Sequence, residues 1–220
     1  MKAGETRAIG DRTGTTLLVI AKEPVPGRVK TRLVPPYTFE QAALLAEAAL
    51  SDTLAAVLAA PARRRVLVLD GGVGPWLPEG FEVIQQCEGG LDERLASAFG
   101  SVGGPSLLIG MDTPQVAPEL LAVGWDGVDA WFGLALDGGF WALGLREPDP
   151  ELLRGIPVST PGTGAAQLLR LREAGLRVAE LPVLRDVDTA EDVVAVAALA
   201  PLTRFAACAG RIAAGRGGHP

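Results

Sequence analysis

The feature that most constrains the fold is the alternation of short apolar runs with longer helical patterns. Apolar runs of strand length lie at 16–21, 65–70 and 106–111, and patterns of helical length separate them at 39–59 and 91–99. This alternation is typical of parallel strands joined by crossover helices. We therefore predict an α/β fold, a three-layer α/β/α sandwich around a mostly parallel, Rossmann-like sheet.

The second half of the chain continues the pattern less regularly. Residues 129–145 indicate two extended pieces around an Asp-Gly-Gly sequence, residues 164–174 a helix and residues 177–181 a strand. A last helix begins near Asp188 or Thr189, either of which has a side chain suited to capping it. With no internal repeat or linker, we predict one domain over 15–205 and flexible termini at 1–14 and 206–220.

Charge and composition exclude several classes of function. The net charge of −6 argues against nucleic-acid binding, which needs a basic surface. No apolar run of about 18 residues or signal-peptide pattern is found, so we expect a cytoplasmic protein without membrane insertion. The only histidine is His219. Histidine-based nucleophilic catalysis and a histidine zinc site are therefore excluded, which leaves carboxylates, cations and a metal ion.

A cluster of cations follows the first predicted strand. Ligands of such sheets bind beyond the carboxyl ends of the strands. In an acidic protein, four cations within eleven residues at this place predict binding of a di- or triphosphate, although a solvated basic loop is the alternative. A glycine in the loop allows close approach of the backbone. The predicted phosphate-binding residues are Lys22, Gly27, Arg28, Lys30 and Arg32.

Carboxylates follow three other predicted strands or turns. Asp112 ends the strand at 106–111, and a divalent cation is a natural partner for it because hard cations prefer oxygen ligands. Asp186 and Asp188 are spaced so that both lie on one side of an extended segment, a geometry suited to metal ligation. Asp137 precedes two glycines and is predicted to bind the acceptor, act as a base or help to hold the metal.

Weaker signals follow the second and third predicted strands. Asp70 precedes two glycines and is placed to bind a ribose or base, but this sequence is also a common strand terminator. Gln86 is a candidate for reading a base edge and Arg94 for reaching a phosphate. The alternative for both is an ordinary turn followed by a helix with an exposed arginine.

The order of these motifs resembles a family of bacterial proteins. The sequence Ala21-Lys-x-Pro-x-Pro-Gly-x-Val-Lys-Thr-Arg-Leu33 is followed by Gly110-x-Asp-x-Pro114, Asp137-Gly-Gly-Phe140 and Asp186-Val-Asp-Thr189. This order is similar to that of a glycosyltransferase family with the GT-A fold, in the nucleotide-diphospho-sugar transferase superfamily and of the radical-SAM/selenodomain-associated type. The family is related to cofactor guanylyltransferases, and the resemblance spans about residues 17–205.

The resemblance implies a nucleotide or nucleotide-sugar substrate and Mg²⁺ or Mn²⁺. It implies metal ligation by Asp112 with Asp186 or Asp188, and Lys30 joins Asp137 as a candidate catalytic residue. The leading hypothesis is glycosyl transfer from a nucleotide sugar to an unidentified acceptor. The alternatives are nucleotidyl transfer with release of pyrophosphate and a non-catalytic nucleotide-binding regulator. Whether the chain forms a homodimer is left open.

Overall fold

Residues 14–158 and 160–216 are described by a computed structural model. One sheet of 7 strands lies between two layers of helices. The strands are β1 (Thr16–Lys22), β2 (Arg64–Asp70), β3 (Glu82–Gln85), β4 (Ser106–Gly110), β5 (Ala130–Leu134), β6 (Phe140–Leu145) and β7 (Val178–Glu180). The helices are α1 (Phe39–Ala59), α2 (Leu91–Gly100), α3 (Pro118–Leu121), α4 (Thr163–Glu173), α5 (Ala190–Leu199) and α6 (Arg204–Arg216).

The strand order across the sheet is β3-β2-β1-β4-β6-β5-β7. Strand β6 runs antiparallel to both of its neighbours, and the other pairs are parallel. The predicted α/β class and the mostly parallel sheet are therefore confirmed. Strands β1, β2, β4, β5 and β7 all end at one edge of the sheet, which we call the carboxyl edge, and the turn from β5 to β6 lies there too.

The alternation of side chains along the strands produces the layers. In β1, Leu17 and Val19 pack towards α1, whereas Leu18 packs on the opposite face in a cluster with residues of α2 and α4. A third cluster joins α1 to α5 and α6 and also takes in Leu33 and Val187, which come from the segments on either side of the carboxyl edge. The packing of the helices thus fixes the positions of those two segments.

The C-terminal helix extends the domain past its predicted end at residue 205. Helix α6 buries Phe205, Cys208 and Ile212 against α1 and α5. Asp52 of α1 accepts hydrogen bonds from the first two backbone N–H groups of this helix, at 3.0 and 2.8 Å. Residues 206–216 are therefore not a flexible terminus, and residues 1–13 and 217–220 lie outside the described residues.

Helix α1 is long and apolar enough to cross a membrane when length and composition alone are considered. Three acidic residues, Glu40, Glu47 and Asp52, interrupt its apolar pattern, so the sequence contains no uninterrupted apolar run of that length. Most of the apolar window is buried against the sheet and α6. That burial is what the central helix of an α/β core requires, and one such helix is weak evidence for a membrane span.

Candidate functional site at the carboxyl edge of the sheet

The loop after β1 is held against the carboxyl edge by two apolar side chains. Val29 packs in the core cluster beneath α1, and Leu33, in a short 3-10 turn, packs in the cluster of α1, α5 and α6. Gly27 has φ +78°, a left-handed conformation in which a residue with a side chain is strained. The loop thus turns at Gly27 and is then pinned at both sides of Lys30.

The four cations of this loop are not equivalent. Arg28 and Arg32 have side chains 58% and 69% exposed. Lys22 is also exposed and has no ion-pair partner in the part of the chain that the structure describes. Lys30 is different, because only 9% of its side chain is exposed. Three of the predicted phosphate-binding side chains therefore face solvent, and the fourth is directed into the protein.

The ammonium group of Lys30 lies between two of the predicted metal ligands. Its Nζ is 2.9 Å from Asp112 Oδ2 and 2.9 Å from Asp188 Oδ1. The second oxygen of Asp188 accepts from Arg32 at 2.9 Å. The structure therefore joins the basic loop, the end of β4 and the segment before α5 through one ion-pair network.

The network changes the pKa values of Lys30 and Asp188. Burial disfavours the charged form of Lys30, but the attraction and hydrogen bonds of Asp112 and Asp188 outweigh it and raise the pKa of Lys30. Burial likewise opposes ionisation of Asp188, and the contacts with Lys30 and Arg32 outweigh it and lower its pKa. Lys30 and Asp188 are therefore both charged at neutral pH.

Backbone contacts hold the two acidic segments together. The backbone N–H of Val187 donates to the carbonyl oxygen of Asp112 at 3.0 Å, and the side chain of Gln115 donates to the carbonyl of Arg185 at 2.5 Å. Thr189, not Asp188, caps α5, and it forms a capping box with Asp192. The carboxylate of Asp188 is consequently available for the ion-pair network.

A second group of carboxylates adjoins the network. Asp137, Asp186 and Asp188 each present an oxygen, and these atoms lie within 4.8 Å of one another. Burial, together with the neighbouring charges of Asp137 and Asp188, raises the pKa of Asp186 to about 6. Like charges at this spacing repel each other, so the group is suited to a cation.

The donor atoms fit a hard divalent cation. Asp112 Oδ1 is buried and makes no hydrogen bond to any residue in 14–158 or 160–216. A buried carboxylate oxygen without a partner is costly, and a metal ion is one way to satisfy it. Together with the cluster of Asp137, Asp186 and Asp188, this oxygen offers the ligand type that Mg²⁺ and Mn²⁺ prefer.

Glycines determine where Asp137 lies. Its carboxylate accepts from the backbone N–H of Gly139 at 2.7 Å, which closes a tight turn between β5 and β6. Gly138 has φ +90°, and its carbonyl oxygen accepts from the N–H of Gly164 at the start of α4. An added Cβ on Gly138 would overlap the carbonyl group of Pro161, and one on Gly164 would overlap the carbonyl oxygen of Gly139. The turn that carries Asp137 is therefore packed backbone to backbone on α4.

We predict that Gly164→Ala destabilises the fold although alanine is the better helix former. The overlap with a backbone oxygen cannot be relieved by rotating a side chain, and overpacking of this kind typically costs about 1–3 kcal/mol. Gly210→Ala in α6 is the matched control, because no atom lies within 4 Å of its added Cβ. Thermal unfolding is expected to show a lower Tm for Gly164→Ala and an equal or higher Tm for Gly210→Ala. Equal Tm values for the parent and Gly164→Ala would contradict the close packing of this turn.

The remaining predicted site residues form a separate patch beside β2 and β3. Arg94 bonds to Asp70 at 2.9 Å and to the side-chain oxygen of Gln86 at 3.1 Å, and Arg28 lies 3.6 Å from Asp70. The amide nitrogen of Gln86 donates to the carbonyls of Ala21 and Val68. Gln86 therefore joins β1 to β2 and orients Arg94, so its N–H groups are not free to donate to a base.

Two features of the site have no clear signal in the sequence. Glu23 accepts from the backbone N–H of Gly72 at 2.8 Å and so holds the loop after β2 to the basic loop. Gly164 supports the turn of Asp137 from a helix start about 25 residues later in the chain. A single glutamate and a single glycine are too common to be identified without the three-dimensional contacts.

Comparison with protein families gives one match to the sequence. A family model described as an uncharacterized protein conserved in bacteria (DUF2064) matches residues 44–160. The matched region includes Asp70, Asp112 and Asp137, whereas the basic loop and the segment of Asp186 and Asp188 lie outside it. No curated protein matches the sequence.

Solved structures share the fold over most of the chain. A protein from Desulfovibrio desulfuricans G20, provisionally named a nucleotide-diphospho-sugar transferase, is 25% identical with a TM-score of 0.80, over 92% of this chain and 96% of its own. CMP:2-keto-3-deoxy-manno-octonic acid synthetase in complex with CTP is 14% identical with a TM-score of 0.55, over 86% and 99%. Rv0371C of Mycobacterium tuberculosis H37Rv in complex with manganese is 24% identical with a TM-score of 0.51, over 84% and 97%. The fold is that of the nucleotide-dependent transferases.

Proposed function

The chain belongs to the bacterial family DUF2064, and we propose that it is a metal-dependent transferase that uses a nucleotide sugar. The observation that carries the proposal is the convergence of Lys30, Asp112 and Asp188 at the carboxyl edge, with Asp137 and Asp186 beside them. The similarity to the Desulfovibrio protein supports the transferase class and the type of substrate.

The basic loop with its ion-pair network and the patch beside β2 and β3 would bind different parts of a nucleotide sugar. Exposed Lys22, Arg28 and Arg32 are suited to binding a diphosphate, because charge-assisted hydrogen bonds from flexible cations to phosphate are strong. Asp70, held by Arg94, would accept a hydrogen bond from a ribose hydroxyl. Because Arg28 contacts Asp70 and Arg32 contacts Asp188, the loop connects the nucleoside side of the site to the acidic side.

Asp112 and Asp188 would hold the divalent cation, with Asp186 nearby. When bound, such an ion would neutralise part of the diphosphate charge and so make the nucleoside diphosphate a better leaving group. The chain's own cations contribute in the same direction, since Arg28 and Arg32 would stay in contact with the phosphate oxygens as negative charge develops on them. Both side chains are more than half exposed, so each can reach a ligand from beside its carboxylate partner.

Asp137 would act as the general base. Its carboxylate would take the proton of an acceptor hydroxyl as that oxygen forms a bond to the anomeric carbon. The sugar–phosphate bond breaks in the same step, and the electron pair leaves with the nucleoside diphosphate. The bond from the N–H of Gly139 and the packing on α4 keep this carboxylate in place.

Nucleotidyl transfer is the second candidate. Two observations favour it. The fold is shared with a synthetase that binds CTP. In addition, two distant segments each contribute one aspartate, Asp112 and Asp188, to the contacts with Lys30. In that reaction an acceptor oxygen would attack the α-phosphate of a nucleoside triphosphate, and pyrophosphate would leave. The same cations and aspartates would serve both reactions.

The released product distinguishes the two candidates. The protein would be incubated with Mn²⁺ and a panel of nucleotide sugars, and separately with nucleoside triphosphates and sugar phosphates. Release of a nucleoside diphosphate, in slow hydrolysis or with an added acceptor, is the expected result. Release of pyrophosphate would replace glycosyl transfer by nucleotidyl transfer. Binding of nucleotides without either product would favour a non-catalytic regulator and overturn the proposed catalysis.

A further inference from the structure

The position of Lys30 conflicts with simultaneous metal binding by its two partners. An Mg²⁺ ion binds carboxylate oxygens at about 2.0–2.1 Å, so two oxygens that share one ion lie roughly 3–4 Å apart with the ion between them. The space between Asp112 Oδ2 and Asp188 Oδ1 already holds the ammonium of Lys30, 2.9 Å from each. An ion that bridges these two oxygens would therefore occupy the place of the ammonium, and Lys30 must move before the ion can join Asp112 to Asp188 through them.

We infer that Lys30 is an internal counter-ion that a divalent cation must displace, so that metal and nucleotide bind this site together and not singly. Without nucleotide, Lys30 and Arg32 neutralise Asp112 and Asp188 and repel an incoming cation. When nucleotide phosphates arrive, they offer Lys30 a new partner, and the two aspartates become free for the metal. The inference rests on the metal site of the proposed function.

The structure supports an exchange of partners by Lys30. It is the only non-glycine residue in 14–158 and 160–216 with a positive φ, 48°, and it directly precedes the 3-10 turn that begins at Thr31. Backbone strain of this kind persists where surrounding contacts hold it, and it is enriched at functional sites. The lysine stem has four rotatable bonds, so the ammonium can turn to a phosphate without movement of the pinned backbone.

The exchange requires that the affinities for metal and for nucleotide be coupled. Because coupling between two ligands is reciprocal, nucleotide must raise metal affinity by the same factor as metal raises nucleotide affinity. The cost of displacing Lys30 falls on whichever ligand binds first. A metal ion alone should therefore bind the parent protein weakly even though several carboxylates are present.

The inference is tested by measuring metal affinity without nucleotide, in the parent and in a variant that lacks the charge of Lys30. Mn²⁺ binding, followed by electron paramagnetic resonance, is expected to be at least about tenfold tighter for Lys30→Met than for the parent, because a like charge leaves the site. Lys22→Met is the matched control, since it removes an exposed cation from the same loop. Its Mn²⁺ affinity is expected to stay within about twofold of the parent, as solvent screens the lost charge. Equal affinities of the parent and Lys30→Met would overturn the inference.

A measurement on the parent protein tests the inference without requiring any variant to fold. The chain has three lysines, Lys2, Lys22 and Lys30, so a lysine-selective NMR spectrum is simple to assign. Saturation with Mg²⁺ and the nucleotide that binds is expected to shift the Lys30 side-chain signals. Metal and nucleotide bound with the Lys30 signals unmoved would overturn the inference and leave the proposed function standing. A Lys30 shift with Mg²⁺ and pyrophosphate, in a protein that binds no nucleotide, would support the inference and overturn the proposed function.

Discussion

Replacing Asp112 by asparagine is expected to lower turnover by about 10²–10³-fold, the usual effect of losing one group that stabilises charge in a transition state. Asparagine has nearly the same shape and keeps one oxygen, but it has no charge with which to hold a divalent ion or Lys30. The backbone contact between Asp112 and Val187 does not involve the side chain and is retained. The variant should therefore fold while losing most of its activity and the part of its nucleotide affinity that depends on metal.

Asp126→Asn is the matched control for this change. Asp126 is exposed in the loop before β5, and it has no hydrogen bond to a described residue. Rates would be measured in the reaction that the substrate panel identifies, with Tm recorded for both variants. Parent-like turnover of Asp112→Asn would show that this carboxylate serves only to pair with Lys30.

Removing the two exposed arginines of the basic loop is expected to weaken nucleotide binding by roughly 100-fold, since a hydrogen bond to a charged group contributes about tenfold or more. Arg28 and Arg32 each pair with one carboxylate at the surface. Exposed ion pairs contribute little to folding, so the Tm of Arg28→Ala/Arg32→Ala should stay close to that of the parent.

Arg64→Ala/Arg146→Ala is the control for the loss of two surface arginines. These residues lie at the opposite edge of the sheet, at the start of β2 and just after the end of β6. Calorimetry should find parent-like nucleotide affinity for this control and weakened affinity for the loop variant. If both double variants bind as the parent does, the basic loop is not the phosphate site.

The positions of the candidate residues were predictable because they depend on strand ends. Asp70, Asp112 and Lys22 follow or close strands that the apolar runs identify, and parallel strands bring their carboxyl ends to one edge. The capping of α5 by Thr189 was also one of the two options that the sequence offers. Short-range patterns suffice for such features.

The directions of the side chains were not predictable in the same way. The sequence presents Arg28, Lys30 and Arg32 as equivalent cations, yet the burial of Val29 and Leu33 turns Lys30 inward and leaves the arginines exposed. That outcome depends on a helix pair, α5 and α6, more than 150 residues later in the chain. The hydrogen bonds from Gln86 to two backbone carbonyls likewise depend on the strand order, which no local pattern encodes.

The extension of the fold through α6 was missed for a related reason. The helix is rich in alanine and glycine, and its pattern resembles that of a frayed tail until its partner surface on α1 is known. Its first turn is capped by Asp52, a residue that lies 152 positions earlier in the sequence than Arg204. Long-range capping of this kind cannot be read from the neighbouring residues.

The central claim is that the carboxyl edge binds a nucleotide together with a divalent cation. Calorimetric titration of the parent protein with nucleotide sugars and nucleoside triphosphates, each in excess Mn²⁺ and in excess chelator, tests it most directly. Linkage through one shared site predicts that at least one nucleotide binds, and that Mn²⁺ tightens it by about tenfold or more. Nucleotide affinities that are the same with metal and with chelator, or no binding by any nucleotide, would contradict it.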